Sequence, residues 1–424
     1  MRLRSLLLLH WPAALLSAGC GDYRTIEPPP PPPIPVVGQV QDIDGLPVSG
    51  VIVAAGDSGV FDRATTTDAD GRFLLWAKRL PYDLAVVASA SGIVERATVY
   101  RDVTRTDPMV VAIPATGHAP SGARSATLTG TIAAACGAAP CPTGYGMGQV
   151  VFEPGPGIHF LLPPWTGPVA YLLSLTWGGP ATLSGHVHAL TSVQSTLGSP
   201  VEYWYGTEPA TVTDGAPTTV DLPPLQPTET APLTGTIAVP AGATADYIFL
   251  WHSLANSTWI VLARGDPVSS ATFAYDVPAI GAVGTGIEVT GTAAGGEVLH
   301  AGWSFVRPGS TGLTVELRPA PVLLEPAAGA TGVGPGVRLA WTPVPGAMSV
   351  AALGSVLIYT ASAETVVPDF SALGLGYPAG AAGTWSVTND GWNTTVDGVL
   401  APLPPPWPHS WWQSASLSRP FSFR

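Results

Sequence analysis

The sequence predicts an all-β protein built from several small sandwiches in tandem, and three observations lead there. The 424 residues include 49 Gly and 46 Pro, more than a fifth of the chain, with no Gly-X-Y period. Apolar residues make up 46% and charged residues only 11%, so core material is plentiful and the composition is not that of a disordered chain. The apolar residues fall in runs of strand length bounded by Gly or Pro, without the spacing of amphipathic helices. At about 150 residues per domain the length suits two or three domains, or four small sandwiches.

Charge excludes one class of partner. The net charge is -12; residues 1–125 hold 11 basic and 12 acidic residues, whereas residues 126–424 hold 6 and 17. Lys78 is the single lysine, and no basic stripe exists. Nucleic-acid binding relies on Lys and Arg to neutralise phosphates, so no nucleic-acid partner is expected.

The first residues carry an address. Arg2 and Arg4 precede an apolar run from Leu6 to Leu16, broken by His10 and Pro12 and too short to span a bilayer. Leu16-Ser17-Ala18-Gly19-Cys20 then resembles the lipobox of bacterial lipoproteins. That resemblance implies a signal peptide over 1–19, removal of it before Cys20, and acyl chains on the Cys20 thiol and the new N-terminus. Ser17 stands where the family most often has Leu, and ordinary secretion with a free Cys20 is the alternative. Gly21 in place of the Asp that retains some lipoproteins at the inner membrane favours the outer membrane. Residues 20–35 contain six consecutive prolines, Pro28 to Pro33. A polyproline II segment of that length extends roughly 20 Å and reads as a stalk. Cys136 and Cys141 remain as an even pair; a disulfide suits an exported protein and contributes about 2 kcal/mol. A metal half-site is the rival, but no second Cys pair completes it.

Residues 36–115 carry the most specific pattern. Strand-like Val36–Val40 is followed by the turn around Asp42-Ile43-Asp44-Gly45 and by β-branched Gly50–Ala54. Asp68-Ala69-Asp70-Gly71 makes a hairpin turn, and Leu84–Ala88 is another strand. The series resembles the carboxypeptidase regulatory-like domain, which implies a seven-stranded prealbumin-like sandwich in an accessory, non-catalytic role. The pairs Asp42/Asp44 and Asp68/Asp70 look like fragments of calcium loops but lack a bidentate Glu downstream. Turn roles are preferred, with weak surface Ca²⁺ as the alternative.

Two sandwiches are expected over 125–229 and 230–319, on the strength of an internal repeat. Leu128-Thr129-Gly130-Thr131-Ile132 matches Leu233-Thr234-Gly235-Thr236-Ile237, Leu183–Gly185 matches Val289–Gly291, and Val220–Leu222 matches Val315–Leu317. Both copies open on the apolar-x-Gly-x-apolar pattern already present at Val36 to Val40. Residues 320–424 form the last module. Pro321–Pro326, Gly329–Val333 and Val337-Arg338-Leu339-Ala340-Trp341 resemble the opening of bacterial fibronectin type III-like or immunoglobulin-like domains. This implies an early-strand Trp341 in the core, with late strands at Gly383–Val387 and Phe421–Phe423. Met348-Ser349-Val350 departs from that family's usual Tyr-led strand.

Chemistry is sparse. The chain has no Gly-x-Ser-x-Gly elbow, phosphate-binding loop, His-Glu-x-x-His or Cys–His motif. His186 and His188 share a strand face and are the nearest thing to a metal pair, with His159 as a conceivable third ligand; solvent-facing histidines are the preferred reading. Glu202 and Asp214 would support an enzyme if they converged in a pocket. Aromatic residues are the better candidates for stacking on a ligand or partner: Tyr203, Trp204 and Tyr205 on one strand, and Trp407, Trp411 and Trp412 near the C-terminus. The expectation is a non-catalytic, lipid-anchored envelope protein without cofactor or resident metal. Its partners would be the membrane through the anchor and an envelope protein or glycan. A carbohydrate-binding protein and an enzyme with an unrecognised site are the alternatives.

Overall fold

The computed structural model describes residues 32–42, 45–111, 123–134, 145–154, 158–161, 167–194, 201–254, 260–281, 283–401 and 409–424. These residues are almost entirely strands, with one short helix, Val396–Val399, and one 3-10 turn, Ser371–Leu373. The all-β class is therefore the observed one. Among the described residues no helix is long and apolar enough to cross a membrane. Cys20, Cys136, Cys141 and Trp407 lie outside the described residues.

Three successive stretches repeat one seven-strand topology. The first comprises Ile34–Gln41, Ile52–Asp57, Val60–Thr66, Arg72–Ala77, Tyr82–Ala90, Ile93–Val103 and Met109–Val111. The second comprises Arg124–Ile132, Tyr145–Glu153, Ile158–Leu161, Val169–Trp177, Thr182–Gln194, Glu202–Thr213 and Pro217–Thr219. The third comprises Thr230–Ala238, Thr244–Leu254, Ile260–Pro267, Thr272–Pro278, Val283–Thr292, Val298–Val306 and Leu313–Glu316. In each, the first strand is the centre of a three-stranded sheet, antiparallel to the fourth strand and parallel to the seventh. The other four form the facing layer in the order third, second, fifth, sixth.

The recurring glycine in the opening pattern has a physical reason. Gly38 pairs with Phe73, Gly130 with Tyr171 and Gly235 with Phe273. In each case the aromatic ring of the fourth strand lies over the glycine. A Cβ would stand 2.8 Å from Phe73 Cε1 at Gly38, 2.7 Å from Tyr171 Oη at Gly130 and 2.8 Å from Phe273 Cε1 at Gly235. It would also run into the carbonyl oxygens of Pro108, Val220 and Leu313 respectively, at or beside the parallel seventh strand. A side chain there would separate the strands, so only glycine fits.

The repeat is thus confirmed at its opening pattern and corrected elsewhere. Gly185 sits near the start of a fifth strand and Gly291 near the end of one, so that anchor does not join equivalent positions. Ile132 bridges Leu222 whereas the equivalent Ile237 pairs with Val315, which shifts the third anchor by two residues. Short apolar triplets recur in strands of any register, and that is why they misaligned.

The C-terminal stretch is built differently. Leu323–Glu325, Arg338–Trp341 and Glu364–Val366 form one sheet. Met348–Leu353, Val356–Thr360 and Ala382–Asp390 form the core of the other. Trp341 is buried in the core beside Trp385, and its indole N–H donates to Ser349 Oγ at 3.2 Å. Arg419–Phe423 pairs with Ala382–Asp390 and brings Phe421 over Gly383.

This stretch joins the others edge to edge. Val356–Thr360 runs parallel to Ile93–Val103 of the first sandwich, and His409–Ala415 runs antiparallel to Val298–Val306 of the third. Both partners are sixth strands, which end their sheets with unpaired backbone groups and so invite another strand. The result is one 14-stranded sheet. Side chains follow the backbone: Phe61, Val87 and Val99 share a core with Ile358, Phe370 and Trp385, while Met348, Val396 and Leu400 enter the first sandwich's own interior. Burial on both faces explains the continuous apolar run Leu84–Ala88 within the strand Tyr82–Ala90. The short helix adds a latch: Asp397 Oδ1 accepts the backbone N–H groups of Thr104 at 3.0 Å and Arg105 at 3.2 Å.

Candidate aromatic binding face

The strand Thr244–Leu254 alternates from Tyr247 to Trp251. Ile248 and Leu250 point into the third sandwich's core, so Tyr247, Phe249 and Trp251 point out. Their rings form a ladder, with centroids 6.1 Å apart for Tyr247–Phe249 and 6.2 Å for Phe249–Trp251. Register carries the same face across the sheet. Phe249 pairs with Glu288, Glu288 with Gly302, and Gly302 with Trp411; one row over, Tyr247, Thr290, His300 and Gln413 follow one another.

Glycines flatten this face. The Phe249 ring lies over Gly265, where a Cβ would stand 2.9 Å from it, and the Trp411 indole lies over Gly302, at 3.1 Å. Both rings are partly exposed. Between them His300 Nδ1 and Glu288 Oε1 are 2.8 Å apart, both partly accessible. An open cleft of about 670 Å³ continues the face and is lined by Thr244, Asp246, Tyr247, Thr290, Thr292 and Val298 among others. Trp392, 51% exposed, follows Asp390, whose strand pairs with the one carrying Gln413.

The candidates named from sequence divide sharply. Trp411 belongs to this face, whereas Trp412, one residue on, turns inward against the third sandwich's core. Trp204 is only 6% exposed and is part of the second sandwich's core. Tyr203 is 2% exposed: its ring meets His252 of the third sandwich edge-on at 5.1 Å. Tyr205 packs with Val151, Leu190 and Val283 in the same joint. Tyr203 and Trp204 therefore offer no ring to a ligand. The second sandwich packs its outer sheet face against the third, which closes the side that alternation left open. Sequence missed Tyr247, Phe249 and Trp251, although their alternation with Ile248 and Leu250 was visible.

His186 and His188 do share a face, with ring centroids 5.9 Å apart. His188 is not solvent-facing as expected: its side chain is 7% exposed, Nδ1 lies 2.7 Å from Tyr205 Oη, and Glu153 Oε2 is 3.3 Å from Nε2. Burial, with His186 adding to it, lowers its pKa to about 4, so the ring is neutral. His159 pairs with Val150, out of phase with Glu153 and Val151, the partners of His186 and His188. Among the described residues no group of three or more metal-ligating side chains converges. Asp68 Oδ1 accepts the backbone N–H groups of Asp70 at 2.9 Å and Arg72 at 2.8 Å, a turn-closing role; Asp42 Oδ1 does the same for Leu46 at 2.8 Å.

Glu202 and Asp214 do not converge. They stand at opposite ends of the strand Glu202–Thr213, roughly 40 Å apart at about 3.3 Å per residue. Asp214 is engaged locally, with Arg124 Nη1 and the Ser125 backbone N–H each at 3.0 Å.

Fold and face together define an all-β protein of repeated seven-stranded sandwiches with a flat, aromatic sheet surface. No protein-family model matches the chain, and no curated protein matches it. Among solved structures the chain is similar to the TIE protein of Bacillus anthracis, at 12% identity over 68% of this chain and 51% of that one, TM-score 0.15. It thus spans about half of that protein's length. It is also similar to BcpA, the major pilin subunit of Bacillus cereus, at 10% identity over 67% of this chain and 99% of that one, TM-score 0.14. A streptococcal ancillary pilin gives 8% identity over 68% and 99%, TM-score 0.14. At such TM-scores the likeness carries no argument about function.

Proposed function

We propose that this is a non-catalytic, lipid-anchored protein of the bacterial cell envelope, in which fused sandwiches form a stiff frame that presents a binding face. The observation that carries the reading is the strand pairing of the C-terminal stretch with both the first and the third sandwich. Four modules joined only by linkers would flex independently; a shared sheet and core hold the aromatic face in one orientation. The lipobox-like Leu16–Cys20 and the six prolines supply the tether and the stalk, and the Cys136–Cys141 loop is the place for an export-type disulfide. The separation of Glu202 from Asp214 removes the acid pair that favoured an enzyme.

Metabolic labelling with an alkyne fatty acid, followed by envelope fractionation, tests the anchor. The wild type should carry label and sediment with the outer membrane, and Cys20→Ser should lose both. An unlabelled, freely soluble wild type would overturn the reading.

A further inference from the structure

We infer that the face formed by Tyr247, Phe249, Trp251 and Trp411 around the Glu288–His300 pair binds a neutral polysaccharide chain laid across the strands. This rests on the binding-frame reading above and names the ligand of its face.

Three features point to sugar. The Phe249 and Trp411 rings lie against the backbone of Gly265 and Gly302 and stay partly exposed, and Tyr247 is 49% exposed; the C–H face of a pyranose stacks on such rings, whose quadrupole is negative at the face. Adjacent strands lie about 4.8 Å apart, so Phe249 and Trp411, three strand steps apart, are separated by about 14 Å. A glycan chain stacked on both rings carries further sugars between them, over Glu288 and His300. Those two, with Thr290 and Gln413, place polar atoms where the hydroxyl rim passes. The adjoining cleft continues this chemistry through Thr244, Thr290, Thr292 and the carboxylate of Asp246.

A protein partner fits less well. Interface hot spots are aromatic anchors desolvated within a surrounding ring of contacts, whereas here Glu288, Thr290 and His300 separate the aromatic ladder from Trp411. Charge narrows the sugar. Asp246, Glu288 and Asp390 border the face, and residues 126–424 carry 17 acidic against 6 basic residues. A polyanion would be repelled, so the ligand is neutral.

Affinity electrophoresis of the purified mature protein tests this, and the outcome does not depend on whether Cys20 is lipidated. The probes are gels containing laminarin, xylan or glucomannan, with polygalacturonate as the anionic comparison. At least one neutral gel should retard the protein and polygalacturonate should not. Trp411→Ala and Tyr247→Ala should each weaken retardation about tenfold, Trp411→Phe should restore part of it, and Glu288→Gln should weaken it while leaving the thermal midpoint unchanged. Trp76→Ala, at an exposed ring on the first sandwich, should have no effect. Retardation by none of the neutral gels, by polygalacturonate more than by them, or undiminished in a Trp411→Ala/Tyr247→Ala double variant would overturn the inference.

Discussion

Val99 and Ile358 are register partners in a parallel strand pair, and each is fully buried, at 0% exposure. They belong to opposite ends of the folded chain, yet they pack into one core with Phe61, Phe370 and Trp385. One face of the first sandwich's sheet thus helps to build the core of the C-terminal stretch.

That pairing predicts shared cooperativity. Ile358→Ala should cost about 2–5 kcal/mol, the range for deleting a fully buried aliphatic side chain. The loss should spread: hydrogen exchange should speed up in Ile93–Val103 as well as in Val356–Thr360. Faster exchange confined to the C-terminal stretch would show that the two fold independently.

Gly130 should resist substitution. A Cβ there meets Tyr171 Oη at 2.7 Å and collides with the Val220 carbonyl, and overpacking of this kind costs roughly 1–3 kcal/mol. Gly215 is a contrast: it has a φ of +71° and nothing within 4 Å of an added Cβ. Gly215→Ala should lower the urea midpoint less than Gly130→Ala, because its cost is backbone strain alone. The reverse order would refute the close-approach argument.

Trp204→Ala should destabilise by about 3–5 kcal/mol, as expected for a core aromatic, and Trp411→Ala by clearly less. Thermal midpoints of the two variants check this. Equal losses would mean that Trp411 is a structural residue rather than a presented one.

Acid should loosen the joint between the second and third sandwiches. His252 is 1% exposed, with Nδ1 3.1 Å from Thr285 Oγ1 and the Tyr203 ring against it. Burial lowers its pKa to about 3. The unfolded chain binds its proton below about pH 6.5, while the folded protein does not until about pH 3. Stability is therefore full above pH 6.5 and falls as pH drops toward 3, by up to about 2–3 kcal/mol at pH 4.5. His188, whose pKa burial lowers to about 4, adds to this in the same direction. Urea unfolding at pH 7.5 and 4.5 should show the loss, and His252→Gln should flatten it. An unchanged pH slope in that variant would dismiss His252 as its source.

Much of the fold was written locally. Alternation and Gly/Pro punctuation determined the all-β class, and the apolar-x-Gly-x-apolar pattern marked the same structural position three times, because a close aromatic neighbour admits no other residue at Gly38, Gly130 and Gly235. Trp341 was expected in the core from the resemblance to fibronectin type III-like or immunoglobulin-like domains, and it is buried there. Alternation also set Tyr203 and Tyr205 against Trp204 on opposite faces, but whether an outward face meets water or a neighbouring sandwich depends on which sheets pack together. The same limit hid the aromatic face, since Trp411 reaches Phe249 only through a strand pairing between distant segments. Edge strands carry no sequence address for their partners. Backbone hydrogen bonds are alike in every strand, so only the assembled shape decided that the C-terminal stretch would close the open edges of the first and third sandwiches.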